Sequence, residues 1–566
     1  MNQVFIYMTW LICIIGICLY FYKSGVQKNA LAMDNNAEKS LKNEDFNLPC
    51  FFEKYHWWFV GFIMLFAALV RLWNFPNIPA GLNQDEASIA YDSFAISHFG
   101  MDRNGDMFPV YPIAFGDGHG PLYTYLSMIA IKLLGLSVFS YRLTNVLLGV
   151  ISTFVFYLLV KRVSGKNIGL LSLLLIAFCP TSIISSRWAL DGNPLPFVFT
   201  IAVYLFVVAS DSKKTWLFII TAGLFALTMY SYGPGGVVVP IFLLLSCFYM
   251  IYHRRLKWHQ FFLGIGAFLV VITPLVIFMV INVFNLPPIK TPYISFSKFT
   301  VMRSSVIFLP VNSNYLINII KNTVEYFKLV VFQRQDLIWN TVPGFGTTYL
   351  FTAPLIILGM FTLFFNIKNI KIYNKNTVMF NWFIGGTILC LLIHQNVNRI
   401  GIIYPSIVFL IATAIAFLHK QWKALSVTLI IFVAVSFSMF TYNYFNIYPQ
   451  TFGNAFFYSF GDALNDAMSK TDGTIYVTEK NQNIPSIITL FYSKIPPQRF
   501  AQTVKYYNDK AEFRNAMYFD RFKFKTPKVK DSDAVYVIDN SEANEFDVSK
   551  FNIDRFKYYS VAYPKN

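Results

Sequence analysis

The sequence predicts an α-helical polytopic membrane protein of about 12 transmembrane helices, followed by a small extracytoplasmic α/β domain. Three observations carry that expectation. Hydrophobic residues make up 55% of the 566 residues and charged residues only 13%, far from the balance of a soluble domain. Apolar runs of roughly 17–22 residues recur as far as Tyr444, each long enough to cross a bilayer as a helix. Most Lys and Arg residues sit in the short segments between those runs, where they orient helices. The net charge of +17 therefore reads as topology and excludes nucleic acid as the partner.

The first run, residues 4–22, has no basic n-region and no small-residue cleavage site, so it reads as a retained helix rather than a signal peptide. Residues 23–56 carry both signs of charge and read as a cytoplasmic linker, making 1–56 an N-terminal helix plus linker. Residues 57–73 form the next span, which emerges outside. Residues 121–160 are apolar but too long for one span. A short interfacial helix over 121–136 followed by a span over 141–160 keeps Lys161, Arg162 and Lys166 inside, as the positive-inside rule requires. The alternation then runs through 168–185, 194–209, 216–230, 237–252, 261–283, 351–365, 378–393, 400–418 and 425–444 without adjustment. Residues 57–444 are thus a transmembrane core with outer loops 74–140 and 285–347. Beyond it, 445–566 mixes helix-like stretches (455–468, 484–492) with β-rich runs (474–478, 534–538, 558–562), and parity places this α/β domain outside.

Candidate chemistry gathers in the outer loops. Asp85 and Glu86 lie just past the first core span, and ionisable groups near a bilayer are usually functional. The same residues read equally as a helix start, with Asn83 as N-cap, Glu86 completing a capping box and Gly100 as the stop. The two readings are compatible. His119-Gly-Pro-Leu-Tyr123 opens the interfacial helix, as a simple turn or as a cation at headgroup level. Ser186-Arg187-Trp-Ala-Leu-Asp191 brings a second acid outside, and Arg399 ends a span, where snorkelling would also explain it. The outer cations His119, Arg142, Arg187, Lys290, Lys298, Arg303, Arg334 and Arg399 would suit an anion such as a lipid phosphate. No Ser-His-Asp order, Gly-rich phosphate loop, HExxH or EF-hand loop is found. The six cysteines contain no CxxC, so no disulfide framework or thiolate metal site is indicated. No cofactor is specified, and a divalent cation is left open.

The order of these motifs resembles the GT-C glycosyltransferases that use polyprenyl-phosphate sugars, namely the protein O-mannosyltransferases and the lipid A aminoarabinose transferases. The resemblance rests on Asp85-Glu86, His119-Gly-Pro-Leu-Tyr, Tyr141-Arg-Leu-Thr-Asn-Val-Leu and Ser186-Arg-Trp-Ala-Leu-Asp191, with a weaker match at Asn398-Arg-Ile-Gly-Ile-Ile-Tyr-Pro405. It implies a GT-C-like core, with Asp85 as the catalytic carboxylate, Asp191 as a second functional carboxylate and His119 near the donor phosphate. From their places in the outer loops, Glu86 joins the candidate catalytic carboxylates, and Arg187 and Arg399 join His119 as candidate donor-phosphate contacts. Two departures are visible. Family members usually carry Pro-Pro after the His or Lys, where this chain has Gly120-Pro121, and the helix before Trp57 is an addition to the common core.

The expected function is inverting transfer of a sugar from a polyprenyl-phosphate donor to a hydroxyl of an extracytoplasmic protein, lipid or cell-envelope glycan. A phosphate leaving group needs no general acid, while a hydroxyl nucleophile profits from a carboxylate base. The alternatives are a polysaccharide polymerase or ligase using lipid-pyrophosphate substrates, and a transporter or flippase. Transporters place ionisable groups at mid-membrane on broken helices, often in repeated halves, whereas here the distinctive acids lie in outer loops. A cytoplasm-only fluorescent reporter fused after Asn566 should stay dark. A bright reporter would overturn the interfacial reading of residues 121–136.

Overall fold

The computed structural model describes residues 2–33, 54–301, 307–310, 312–511 and 513–565. Most of the expected linker, with Cys50, lies outside the described residues, as does Arg303. In chain order, α1 (Asn2–Met33) and α2 (His56–Leu72) lead to α3 (Gln84–Phe99) and α4 (Pro121–Leu134). After α5 (Val138–Ser164) come α6 (Lys166–Phe178) and α7 (Pro180–Arg187), then α8 (Pro194–Ser212), α9 (Thr215–Thr228), α10 (Gly235–Tyr252) and α11 (Trp258–Val283). Beyond α12 (Tyr315–Tyr326) stand α13 (Ala353–Ile367), α14 (Asn376–Leu392), α15 (Tyr404–Gln421) and α16 (Lys423–Tyr442). Among the described residues, eight helices are long and apolar enough to cross a membrane, or nine if the α6–α7 pair is one span. α2, α4, α9 and α14 are shorter apolar helices. Every apolar run assigned to a span above forms one of these helices or the α6–α7 pair.

The 27 residues of α5 measure the bundle, since a rise of 1.5 Å each makes about 40 Å. At its C-terminal end Arg162 Nε and Lys375 Nζ both donate to Asp211 Oδ2, at 2.7 and 2.8 Å. Lys23 Nζ donates to the Gln421 carbonyl at 3.0 Å. The basic segments that topology requires on one side therefore meet at one end. The acidic loops gather at the other.

Two arginines hold that other end together. Arg187, at the end of α7, donates to the carbonyls of Val70 (3.0 Å), Arg71 (2.7 Å), Trp73 (2.8 Å) and Ile78 (3.0 Å), closing the last turn of α2 and the loop after it. Arg71, from α2, donates to the Ala177 and Ile176 carbonyls at the end of α6 and to Ser182 Oγ of α7. The last carbonyls of a helix have no partner within it and favour a cation. α6 and α7 meet at a 56° bend, where Pro180 removes the N–H that would continue the helix. Both guanidinium residues are fully buried.

The loops at that end fold onto one another. Residues 100–118 carry a hairpin, β1 (Ile113–Ala114) and β2 (Asp117–Gly118), and a second hairpin, β3 (Ile289–Lys290) and β4 (Ser295–Phe296), lies against them. Val110 N–H donates to the Ser295 carbonyl at 2.9 Å, and Asp106 takes both Lys290 (2.5 Å) and Ser297 Oγ (2.7 Å). Arg103 anchors the first loop to α3 by a forked pair with Asp92, Nε to Oδ1 at 3.0 Å and Nη2 to Oδ2 at 2.7 Å.

The C-terminal domain builds α17 (Phe460–Lys470), α18 (Pro485–Ser493) and α19 (Pro497–Thr503) around one mixed sheet. Its strands are β5 (Ile475–Val477), β6 (Lys505–Tyr506), β7 (Ala516–Phe519), β8 (Phe522–Phe524), β9 (Val535–Asp539), β10 (Phe551–Arg555) and β11 (Tyr559–Pro564). They are ordered β10-β11-β9-β5-β8-β7-β6. β5 runs parallel to both neighbours and the remaining pairs are antiparallel. The expected β-rich runs correspond to β5, β9 and β11. The domain shares a core with the first outer loop, in which Ala87, Tyr91 and Ala95 of α3 join Phe460, Leu464, Ile487 and Leu490. Tyr91 Oη also donates to the Ile495 carbonyl. α3 is therefore buried on all sides from Glu86 to Ser93.

Arg187→Met should strip four carbonyls of their donor at once. An unpaired buried acceptor costs about 1–3 kcal/mol, so the variant should unfold at clearly lower temperature in detergent. Arg187→Lys, which lacks the fork, should recover only part. A wild-type melting temperature for Arg187→Met would show that those carbonyls do not need the guanidinium.

Candidate active site

The site starts from the N-terminus of α3. Asn83 Oδ1 accepts the Asp85 N–H at 2.9 Å, and Glu86 Oε2 accepts the Asn83 N–H at 3.4 Å, so the capping box read from the sequence is present. Asp85 stands in the first turn, partly exposed, where the helix dipole favours its charge. Glu86 is fully buried. Its Oε1 accepts Arg142 Nε (2.8 Å) and the Ala189 N–H (3.2 Å), and its Oε2 accepts Arg142 Nη2 (2.7 Å). Arg142 also donates to the carbonyls of Pro76 (3.1 Å), Pro79 (2.8 Å) and Gly81 (2.9 Å). One ion pair thus fixes α3, α5, the loop from 76 to 81 and the loop that leads to Asp191.

Asp191 is the next fixed point. Its Oδ2 accepts the Gly120 N–H at 2.9 Å and lies 3.8 Å from His119 Nδ1, and its carbonyl accepts Ser231 Oγ at 2.9 Å. Leu122 N–H donates to the Tyr230 carbonyl at 3.0 Å. The backbones of Gly120 and Ser231 are so close that a Cβ on Gly120 would overlap the Ser231 carbonyl. A proline there, usual in the family that the sequence resembles, would offer Asp191 no N–H. The Gly-Pro departure therefore has a structural cause.

His119 sits under the Phe115 ring, with centroids 5.8 Å apart. Burial pulls its pKa down, but hydrogen bonding and charge from Asp191, with charge from Asp85, outweigh burial and leave the pKa raised. The imidazolium therefore persists above the pH at which an ordinary histidine loses its proton, and it is lost as pH rises through the raised value. Among the described residues His119 Nε2 is buried and has no hydrogen-bond partner.

The far wall comes from two breaks between helices. Tyr232, between α9 and α10, has its pKa pushed up to about 12 by burial and by Asp191 and Asp85, against the opposing charge and hydrogen bond of Arg399. Arg399, between α14 and α15, is held by its N–H on Asn396 Oδ1 (2.8 Å) and its Nη1 on the His394 carbonyl (3.0 Å). Asn398 Oδ1 and the Tyr232 ring close on Gly192, 3.1 and 3.3 Å from where a Cβ would stand. Among the described residues Asn398 Oδ1 is likewise buried without a hydrogen-bond partner.

The structure brings Asp85, His119, Asp191 and Arg399 together. It does not bring Glu86 or Arg187 to them, since the first is engaged by Arg142 and the second by the end of α2. Of the other outer cations, Lys290 pairs with Asp106, Lys298 donates to the Asn285 carbonyl and Arg334 pairs with Glu325. Sequence reasoning passed over Tyr232. The available signal was the polar, turn-forming stretch Tyr230-Ser-Tyr-Gly-Pro-Gly235 between two apolar runs. Among the described residues no group of three or more His, Cys, Asp or Glu is arranged to hold a metal.

Fold and site define a polytopic membrane protein with carboxylates set against cations and buried unpaired polar atoms at one end of its bundle. The family model of dolichyl-phosphate-mannose-protein mannosyltransferases matches residues 118–278. The crystal structure of ArnT from Cupriavidus metallidurans bound to undecaprenyl phosphate superposes with a TM-score of 0.54 at 12% identity, covering 90% of this chain and 98% of that one. The apo form of ArnT gives 0.53 at the same identity and coverage. An uncharacterized protein of Aquifex aeolicus (strain VF5) is 30% identical over 149 residues, which are 26% of this chain and 30% of that protein's length. The match spans less than a third of that relative. Residues 118–278 thus resemble that mannosyltransferase family, and the chain as a whole shares the fold of ArnT.

Gly120→Ala should push α4 away from Ser231 and cost about 1–3 kcal/mol, the usual penalty of overpacking a closed contact. Thermal unfolding in detergent measures it. An unchanged melting temperature would mean that the Gly120–Ser231 approach carries no packing constraint.

Proposed function

We propose that this protein is an inverting glycosyltransferase of the cell membrane that moves a sugar from a polyprenyl-phosphate donor to the hydroxyl of an extracytoplasmic acceptor. One observation carries the reading. A carboxylate fixed at a helix N-terminus, Asp85, acts together with Asp191 to raise the pKa of His119, in a cluster whose far wall pairs Tyr232 with Arg399. The undecaprenyl phosphate in the ArnT crystal and the dolichyl-phosphate-mannose of the family's name support the same donor class.

The chemistry follows from these groups. The acceptor oxygen attacks C1 of the sugar from the side opposite the phosphate. As that bond forms, the C1–O(phosphate) bond breaks and its electron pair leaves with the phosphate. Asp85 takes the hydroxyl proton. Arg399 and His119 Nε2–H hold the phosphate, whose charge grows as the bond breaks, so their interaction strengthens in the transition state. Asp191 orients His119 and raises its pKa. Glu86 and Arg187 are positioning residues, the one holding Asp85's helix and the other the loop before it. The active site and the C-terminal domain face the extracytoplasmic side, the end opposite the basic segments of Arg162, Lys375 and Lys420.

Asp85→Asn keeps the shape and removes the base. Transfer of labelled sugar from a polyprenyl-phosphate donor in nanodiscs should fall about 10²–10⁴-fold, the usual worth of general-base catalysis, with donor binding retained. Near-normal transfer by the folded variant would return Asp85 to the role of a helix cap.

A further inference from the structure

The C-terminal domain carries a cleft of about 500 Å³ that the chemistry above does not use. That size lies within the range of small-ligand sites. Its polar lining is unusual. Gln482, Asn483, Asn508 and Asn515 contribute four amides, Glu479 a carboxylate and Lys525 an ammonium. Asn515 Oδ1 is buried with no hydrogen-bond partner among the described residues. An unpaired buried carbonyl oxygen is costly, and a ligand hydroxyl would satisfy it. The ring of Tyr507 also lines the cleft and remains 49% exposed.

The cleft also adjoins the active site. Phe513 forms part of its wall, and the Phe513 ring lies 6.0 Å from that of Phe115, which in turn lies 5.8 Å from His119. Arg514, the next residue, donates to the Phe115 carbonyl and fixes this junction.

We propose that this cleft binds a neutral saccharide portion of the acceptor, so that the acceptor is itself a glycan or glycan-bearing molecule. The proposal rests on the transferase reading above and names its acceptor class. Side-chain amides offer a donor and an acceptor in one plane, which matches the paired donor and acceptor character of neighbouring sugar hydroxyls. An exposed tyrosine ring offers an apolar face with a polar tip, suited to the C–H face of a pyranose. One carboxylate and one ammonium leave no charge excess that would select a phosphate or an acidic peptide. A peptide would be expected to pair with a sheet edge and fill side-chain pockets, for which four amides around one cavity are poorly suited.

The test uses the full-length protein in nanodiscs, without donor lipid. The probes are chitotetraose, maltotetraose, mannotetraose and a Ser/Thr-rich peptide, each immobilised. Wild type should retain at least one of the oligosaccharides. Asn483→Ala and Tyr507→Ala, both at exposed residues that should not disturb folding, should each weaken that retention about tenfold, the equivalent of one lost contact. Retention of no oligosaccharide, or equal retention by both folded variants, would overturn the proposal. So would retention of the peptide alone, which would point to a protein acceptor. Sugar release from the donor to water, measured separately on wild type and Asn483→Ala, should be the same in both. Absence of that release in wild type would overturn the transferase reading and leave the binding result standing.

Discussion

Arg142 is a cation with no route to water, and the end of the bundle that carries the acidic loops is built around it. Its guanidinium holds both oxygens of Glu86 and three loop carbonyls. A buried ion pair gains little over an apolar replacement, but losing one partner costs about 3–5 kcal/mol because the other charge is stranded. The pair therefore makes its surroundings all-or-none. The capping turn of α3, the loop from 76 to 81 and the approach to Asp191 are either all in place or all lost. That is why Asp85, whose own carboxylate is partly exposed, can keep a fixed position.

The same device recurs. Arg71 and Arg187 serve helix ends, and Arg103 ties the first loop to α3. Irregular backbone near a membrane must find hydrogen bonds inside the protein, and a guanidinium with five donors in a planar fork supplies several at once. Part of the positive charge at the acidic-loop end is therefore internal scaffolding. The cations that remain at the site, His119 and Arg399, are fewer than composition suggests.

The helical architecture was legible because hydrocarbon length and basic flanks are properties of single segments. The capping box at Asn83–Glu86 was legible for the same reason. Asp85, His119, Asp191 and Arg399 could be named as candidates because each interrupts apolar sequence or ends a span. Their division of labour could not be read, since Asp85 and Glu86 are neighbours in sequence yet one faces the site and the other faces Arg142. That difference depends on where α5 passes, 56 residues further on. Tyr232 was hidden among 34 tyrosines and is distinguished only by what surrounds it. The strands β6, β7, β8 and β10 were missed because each is short and takes its identity from a neighbour in the sheet.

The exchange of arginines between helix ends also bears on how the chain is made. Arg71 finds its partner carbonyl on Ala177, 106 residues later, and the end of α2 waits for Arg187, 117 residues after Val70. At about 5–20 residues per second of synthesis, that interval is on the order of 5–25 s. During it the C-terminal end of α2 has bare carbonyls and Arg71 has only its own helix. The loop after α2 consequently cannot take its final shape as it leaves the ribosome. Its assembly is timed by the arrival of α7, so a pause or truncation before residue 187 leaves an early helix inserted but unfinished, in the form that membrane quality control would recognise.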